Sequence, residues 1–242
     1  MHHRKQFVLL SGGLDSTTVL YHAMATWPHG SGNNDERFAV EAVSIDYGQR
    51  HSIEMQRAKA ITGFTGVRHV ILKMPDLLGG SMLTSNAPIP DVSYADLPHG
   101  VSPTYVPFRN GLMLSMLAAH AQKWVSGEAS AATSNRLATI YIGAHSEDAE
   151  RDAYPDCSPP FLAAMGEAIS IGTYGTVNLE APLSGLTKAQ VVQMGAKLGV
   201  PFASTWSCYK GGDLHCGVCP TCRARKEAFS KAGVTDPTQY AG

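Results

Sequence analysis

No apolar run in the 242-residue chain approaches the roughly 18 residues that cross a bilayer, so a membrane-spanning helix is not expected. Charge is sparse and balanced: charged residues make up 16% and the formal net charge is −1. That balance argues against a broad nucleic-acid footprint, although a local basic patch would still fit. Cysteine is scarce, five in all, and a reducing compartment would give such residues metal-binding or catalytic work rather than disulfides. The start of the chain, Met1-His2-His3-Arg4-Lys5, has no signal-like apolar segment before strand-like sequence begins, so the expected location is the cytoplasm. No internal repeat is present. The hydrophobic content of 44% supports a full core, as one large domain or as a domain with an appendage.

The most informative segment is Ser11-Gly12-Gly13-Leu14-Asp15-Ser16, directly after the apolar run Phe7-Val8-Leu9-Leu10. A strand ending in a Ser/Gly turn before a helix-like stretch (Thr17 to Ala25) is how α/β folds hold phosphate. The glycines allow close backbone approach, and free N–H groups at the helix start face the anion. No Gly-Lys-Ser/Thr follows, so this is not the Walker form, and it is not Gly-x-Gly-x-x-Gly. It resembles the pyrophosphate loop of ATP pyrophosphatases, which cleave ATP between the α and β phosphates. The bland alternative is a Gly-rich turn with no ligand.

Strand-like and helix-like segments alternate along the chain. Strands are expected at 7–10, 38–45, 67–72, 140–143 and 177–180, and helices at 52–62, 111–125, 160–170 and 187–198. The last of these has a capping box, Thr187 with Gln190. This alternation predicts a doubly wound, mostly parallel α/β sheet, with ligands at the carboxyl ends of its strands. Residues 29–37 and 126–138 read as polar loops. The proline-rich stretch 75–107 has little periodicity; such length is usually functional, and an active-site lid is expected there.

Cys208, Cys216, Cys219 and Cys222 follow the spacing C-x7-C-x2-C-x2-C. Overlapping Cys-x-x-Cys steps put thiolates on one tight turn, and four thiolates with no open position make a structural zinc site. Gly211, Gly212, Gly217 and Pro220 supply the turns. An iron–sulfur cluster and a redox pair are the competing readings. The expected organisation is an ATP-binding domain over 1–200 and a zinc-binding subdomain over 201–242, ordered by its metal. Arg223, Arg225 and Lys226 follow on a helical run and are expected on a solvated face.

Other candidates stay open on the residues alone. Arg109-Asn110 begins a helix, where a guanidinium grips phosphate or carboxylate or stands as a surface residue. Asp46 orients a ribose or caps the next segment. Cys157, in Tyr154-Pro155-Asp156-Cys157, is a site residue or a small buried one. His145, Glu147 and Asp148 bind Mg²⁺ or are loop polars. Lys188 touches phosphate or is a solvated helix-start lysine.

Taken together, these segments resemble one family, 7-cyano-7-deazaguanine synthase. The matching stretches are Ser11 to Thr18, Asp46-Tyr-Gly-Gln-Arg-His51, Thr104-Tyr-Val-Pro-Phe-Arg-Asn110, Tyr154 to Cys157, Leu186-Thr-Lys188, Thr205-Trp-Ser-Cys-Tyr209 and the final cysteines. Three places depart from the usual form: Phe108, where a small residue often stands; 145–153, longer than usual; and 126–138, which looks inserted. The resemblance implies that 7-carboxy-7-deazaguanine and ammonia become the nitrile at the expense of ATP with Mg²⁺. Ser11, Asp15, Ser16 and Arg109 would serve catalysis. ATP would contact Leu10, Ser11, Gly12, Gly13, Leu14, Asp15, Ser16, Thr17, Thr18, Val19 and Leu20, and also Asp46, Gln49, Arg50 and Lys188. Arg109, Asn110, Tyr154, Asp156 and Cys157 would bind the substrate, with Asp156 accepting from its guanine-like edge. The four cysteines would hold Zn²⁺, and the family suggests a homodimer. The rival functions are an enzyme that stops at the amide or uses another amine, a different pyrophosphate-loop ligase, and a non-enzymatic zinc-ribbon module.

Overall fold

The run Phe7 to Leu10 is apolar on every residue because both of its faces are covered, as in buried parallel strands. In the computed structural model, which describes residues 3–27, 39–48, 53–97, 99–127 and 136–241, this run lies in the central strand of the sheet. The strands are β1 (His3–Leu9), β2 (Val40–Asp46), β3 (Arg68–Lys73), β4 (Arg136–Tyr141) and β5 (Val177–Glu180). The helices are α1 (Leu14–Thr26), α2 (Ile53–Thr65), α3 (Arg109–Ser126), α4 (Pro159–Gly172), α5 (Lys188–Leu198) and α6 (Pro220–Ala232). Strand order is β3-β2-β1-β4-β5 and every pairing is parallel. This is the doubly wound α/β sheet expected from the alternation.

Side-chain alternation along β1 sends Val8 and Leu10 to one face, where they pack with Leu14 and Leu20 of α1, Ile61 of α2, Val191 of α5 and Phe229 of α6. Phe7 and Ile140 face the other way, onto Leu114 and Leu117 of α3 and Leu162 and Ile169 of α4. β1 has β2 on one side and β4 on the other, so the order reverses there. A crevice opens at such a switch point, outside the carboxyl ends of the strands. No helix among the described residues is long and apolar enough to cross a membrane.

Two expectations need correction. Residues 136–138, read as loop, belong to β4, because His3, Arg4 and Lys5 extend β1 backwards and pair with Arg136, Leu137 and Ala138. Arg225 does not lie on a solvated face. It is fully buried, donating to Thr205 Oγ1 at 2.8 Å, Phe202 O at 3.0 Å and Asp236 Oδ1 at 3.3 Å. Phe229 on the same helix meets Phe202 edge to face at 5.0 Å. The Thr187–Gln190 capping box forms as expected. The loop expected at 29–37 and most of the stretch 126–138 lie outside the described residues.

Candidate active site

The turn after β1 is shaped by two requirements for glycine. Gly12 has φ +80°, and a Cβ there would lie 2.5 Å from Glu54 O and 2.7 Å from Ala58 N, so only glycine lets the turn approach α2. Gly13 caps α1, whose first bond runs from Thr17 N to Gly13 O at 3.1 Å. The N–H groups of Leu14, Asp15 and Ser16 precede that bond and have no partner within the helix. Ser11 and Ser16 brace the turn through hydroxyls 3.0 Å apart.

The cavity beside this turn has a volume of about 460 Å³. Of the residues singled out in the sequence, it is lined by Leu10, Ser11, Gly13, Leu14, Asp15, Ser16, Arg109, Asn110, His145, Glu147, Asp148, Tyr154, Cys157, Lys188 and Cys208. Others are placed elsewhere. Thr17, Thr18, Val19 and Leu20 are buried in α1. Thr17 and Thr18 return their hydroxyls to helix carbonyls, and Val19 and Leu20 belong to the core. Gly12 is pressed against α2. Asp46 accepts from Gly48 N at 3.3 Å and does not line the cavity. Gln49 and Arg50 lie outside the described residues.

One side of the cavity is a charge cluster. Lys188, the first residue of α5, reaches across to Asp15 Oδ2 at 2.5 Å and stands 3.1 Å from His145 Nε2. That nitrogen is also 3.2 Å from Asp148 Oδ1, and Glu147 Oε1 accepts from Lys188 N at 2.9 Å. Burial works against the Asp15 carboxylate, but Lys188 and His145 outweigh it and hold its pKa below the usual range. Asp15 Oδ1 is buried without a partner among the described residues. A divalent cation fits such an orphan acceptor, and the free N–H groups beside it fit phosphate oxygens.

Arg109 starts α3 on the other side, its guanidinium 5.9 Å from the centre of the Tyr47 ring. Burial opposes its charge, yet the Tyr47 and Tyr209 hydroxyls and Glu54 keep it firmly protonated. Glu54 also faces the cavity; burial pushes its carboxyl up against the pull of Arg109. Phe108, ahead of Arg109, sits in the left-handed region at φ 56° and gives α3 no side-chain cap. Asp156 supplies one instead: its Oδ2 accepts from Asn110 N at 2.9 Å. Asp156 is buried and does not line the cavity. The guanine-edge expectation therefore needs revision, because this carboxylate is turned onto α3. Burial raises its pKa and that of the neighbouring Cys157 thiol.

The four terminal cysteines converge, with all Sγ atoms within 4.8 Å of one another and Cys216 Sγ 3.9 Å from Cys222 Sγ. Bonds of about 2.3 Å to one tetrahedral ion put sulfurs about 3.8 Å apart, so the site fits a single metal ion. A four-iron cube places each sulfur on a different iron and so needs wider separations. None of the five cysteines is in a disulfide. Glu54, Tyr47 and Tyr94 also line the cavity, and the sequence reading missed all three as individual site residues. Tyr94 lies in a stretch without periodicity. Glu54 had one signal, an acid in the first turn of a helix just after the strand-end motif.

The fold and this cavity define a doubly wound α/β protein with a crevice at the carboxyl ends of its strands and a cluster of four cysteines able to hold a metal ion. The match can be narrowed further: the family model described as "Queuosine biosynthesis protein QueC" matches residues 5–233, and the chain belongs to that family. Relatives named 7-cyano-7-deazaguanine synthase include the three that follow. The one from Thermoplasma acidophilum is 39% identical, over 99% of this chain and 93% of its own length. That from Thermoplasma volcanium is 40% identical, over 98% and 91%. That from Porphyromonas gingivalis is 38% identical, over 99% and 98%.

Proposed function

We propose that the protein converts 7-carboxy-7-deazaguanine and ammonia to 7-cyano-7-deazaguanine, consuming ATP and releasing AMP and pyrophosphate. The names of the relatives support the product. The observation that carries the chemistry is one cavity shared by the glycine turn, the Asp15–Lys188 pair and Arg109. A carboxylate is a poor electrophile. Its oxygen attacks the α-phosphorus of ATP, and the bond to the β-phosphate oxygen breaks to release pyrophosphate. Ammonia adds to the activated carbon; AMP leaves with its oxygen, a proton is lost, and the amide remains. The amide oxygen attacks a second ATP in the same way, and loss of AMP and of both N–H protons gives the nitrile.

In this reading the protein positions reactants and neutralises charge. Ser11, Gly13 and Ser16 hold the pyrophosphate end, and Lys188 faces the departing oxygens. Arg109 and Asn110 meet the substrate carboxylate, while Tyr154 and Cys157 border the heterocycle. Asp156 acts through α3, fixing Arg109 and Asn110. Asp15 would hold Mg²⁺, which neutralises phosphate charge. The four cysteines would hold Zn²⁺ as structure and order residues 201–242 as a subdomain.

Mass spectrometry of the protein with 7-carboxy-7-deazaguanine, ATP, Mg²⁺ and ammonium tests this. Nitrile plus AMP is expected, and Lys188→Met should lower both by at least about a hundredfold while staying folded. Amide accumulating under excess ATP would mean an enzyme that halts halfway. AMP without a deazaguanine product would overturn the substrate assignment.

A further inference from the structure

Besides the charge cluster, the cavity has an aromatic wall assembled from three separate parts of the chain. Tyr94 comes from the proline-rich stretch, Tyr154 from the turn before α4, and Tyr209 from the cysteine knuckle; all three line the cavity. The Tyr94 hydroxyl donates to the Tyr209 hydroxyl at 3.2 Å, and the Tyr94 ring meets Tyr154 edge to face at 6.5 Å. Tyr154 is fixed in turn by Thr104 Oγ1 at 2.5 Å and by the Tyr105 ring at 6.3 Å. None of these contacts belongs to the glycine turn or to Lys188.

The stretch that carries Tyr94 is pinned to the knuckle. Ile89 is buried among Trp206, Cys208, Cys219 and Cys222. Asp91 forms an ion pair with Lys210, and its carbonyl accepts from Arg223 Nη2 at 3.4 Å. A segment without helix or strand is thus held at 89–91, and Tyr94 follows in a short 3-10 turn. Its hydroxyl is occupied by another tyrosine, so what it can offer a ligand is the ring.

From this arrangement we infer that Tyr94 is a specificity-determining residue that packs its ring on the planar heterocycle of the acceptor substrate and makes no contribution to ATP binding. The inference rests on the proposed function for the identity of that heterocycle. Planar two-ring substrates gain from aromatic walls because every such ring offers a π face. Alanine substitution of a stacking aromatic costs a bound base roughly ten- to a hundredfold in affinity.

The test is equilibrium binding by calorimetry, with 7-carboxy-7-deazaguanine and a non-hydrolysable ATP analogue as separate probes. Tyr94→Ala and Tyr94→Leu should weaken the deazapurine by roughly ten- to a hundredfold and leave the ATP analogue within about twofold. Tyr94→Phe keeps the ring and should stay within a few-fold of wild type for both. Leucine preserves apolar bulk, so loss of deazapurine binding in that variant, with nucleotide binding intact, reports the ring and not a collapsed segment. Equal weakening of both probes, or wild-type affinity in Tyr94→Leu, overturns the role of Tyr94. Wild-type protein that binds the nucleotide and no 7-deazapurine overturns the proposed function, and this inference with it. Wild-type protein that makes the nitrile while the Tyr94 variants bind normally overturns this inference alone.

Discussion

Glu41 is the second residue of β2, with 2% of its side chain exposed, and Lys5, His120 and Arg68 surround it. Lys5 Nζ on β1 is 2.7 Å from Oε2, His120 Nε2 on α3 is 2.6 Å from Oε1, and Arg68 Nε is 3.6 Å away. Burial opposes the carboxylate, but the His120 and Lys5 hydrogen bonds prevail and bring its pKa down from 4.5 to about 2. At about 1.4 kcal/mol per unit, the ionised carboxylate contributes about 3 kcal/mol to folding. Because the folded value is the lower one, that stability is present above the unfolded value of 4.5. It drains away as pH falls towards the folded value. Glu41→Gln keeps the shape, removes the charge and leaves Lys5 buried without its counter-ion, which costs about 3–5 kcal/mol in comparable pairs. Urea unfolding followed by tryptophan fluorescence, from about pH 7 down to about pH 3, should show the variant less stable by about 3 kcal/mol at neutrality. The gap should narrow by about 2 kcal/mol by about pH 3. Acid also strips metal from thiolates, but both proteins share that loss and it cancels from the difference. A gap that stays constant with pH would refute the assignment of this stability to the Glu41 charge.

Two further outcomes follow from packing. A Cβ on Gly111 would meet the Phe108 ring at 2.5–2.8 Å, so Gly111→Ala should destabilise by about 1–3 kcal/mol. With Phe108→Ala already in place, the same change should be neutral or stabilise by up to about 1 kcal/mol; thermal denaturation showing equal costs in both backgrounds would count against the clash. Cys222→Ser removes one of four converging thiolates, and elemental analysis should find bound metal lost together with a lower unfolding temperature. A metal-free variant of unchanged stability would break the structural-metal reading.

What the sequence made legible was whatever depends on a short local pattern. Phe7 to Leu10 shows both faces buried by having no polar residue, and Thr187 with Gln190 announces its helix start. The cysteine spacing implies convergence because short turns leave the thiolates few other places to go. The glycine turn was legible for the same reason, although its tightest constraint is long-range: Gly12 is required by the carbonyl of Glu54 on another element. Where a side chain's role is fixed by a partner far along the chain, local reading failed. Arg225 sits in a helix of charged residues, and nothing nearby says that Thr205 and Asp236 will enclose it. Asp156 stands in a family motif, yet its carboxylate caps α3 because Phe108 provides no cap there. Tyr94 belongs to no motif at all and reaches the cavity because Ile89 and Asp91 anchor its segment to the knuckle. The glycine-turn side of the cavity is therefore written in local patterns, and the tyrosine-lined side in contacts between distant segments. Substitutions that retune the acceptor should accordingly fall in stretches such as 75–107, where a sequence pattern gives the least warning.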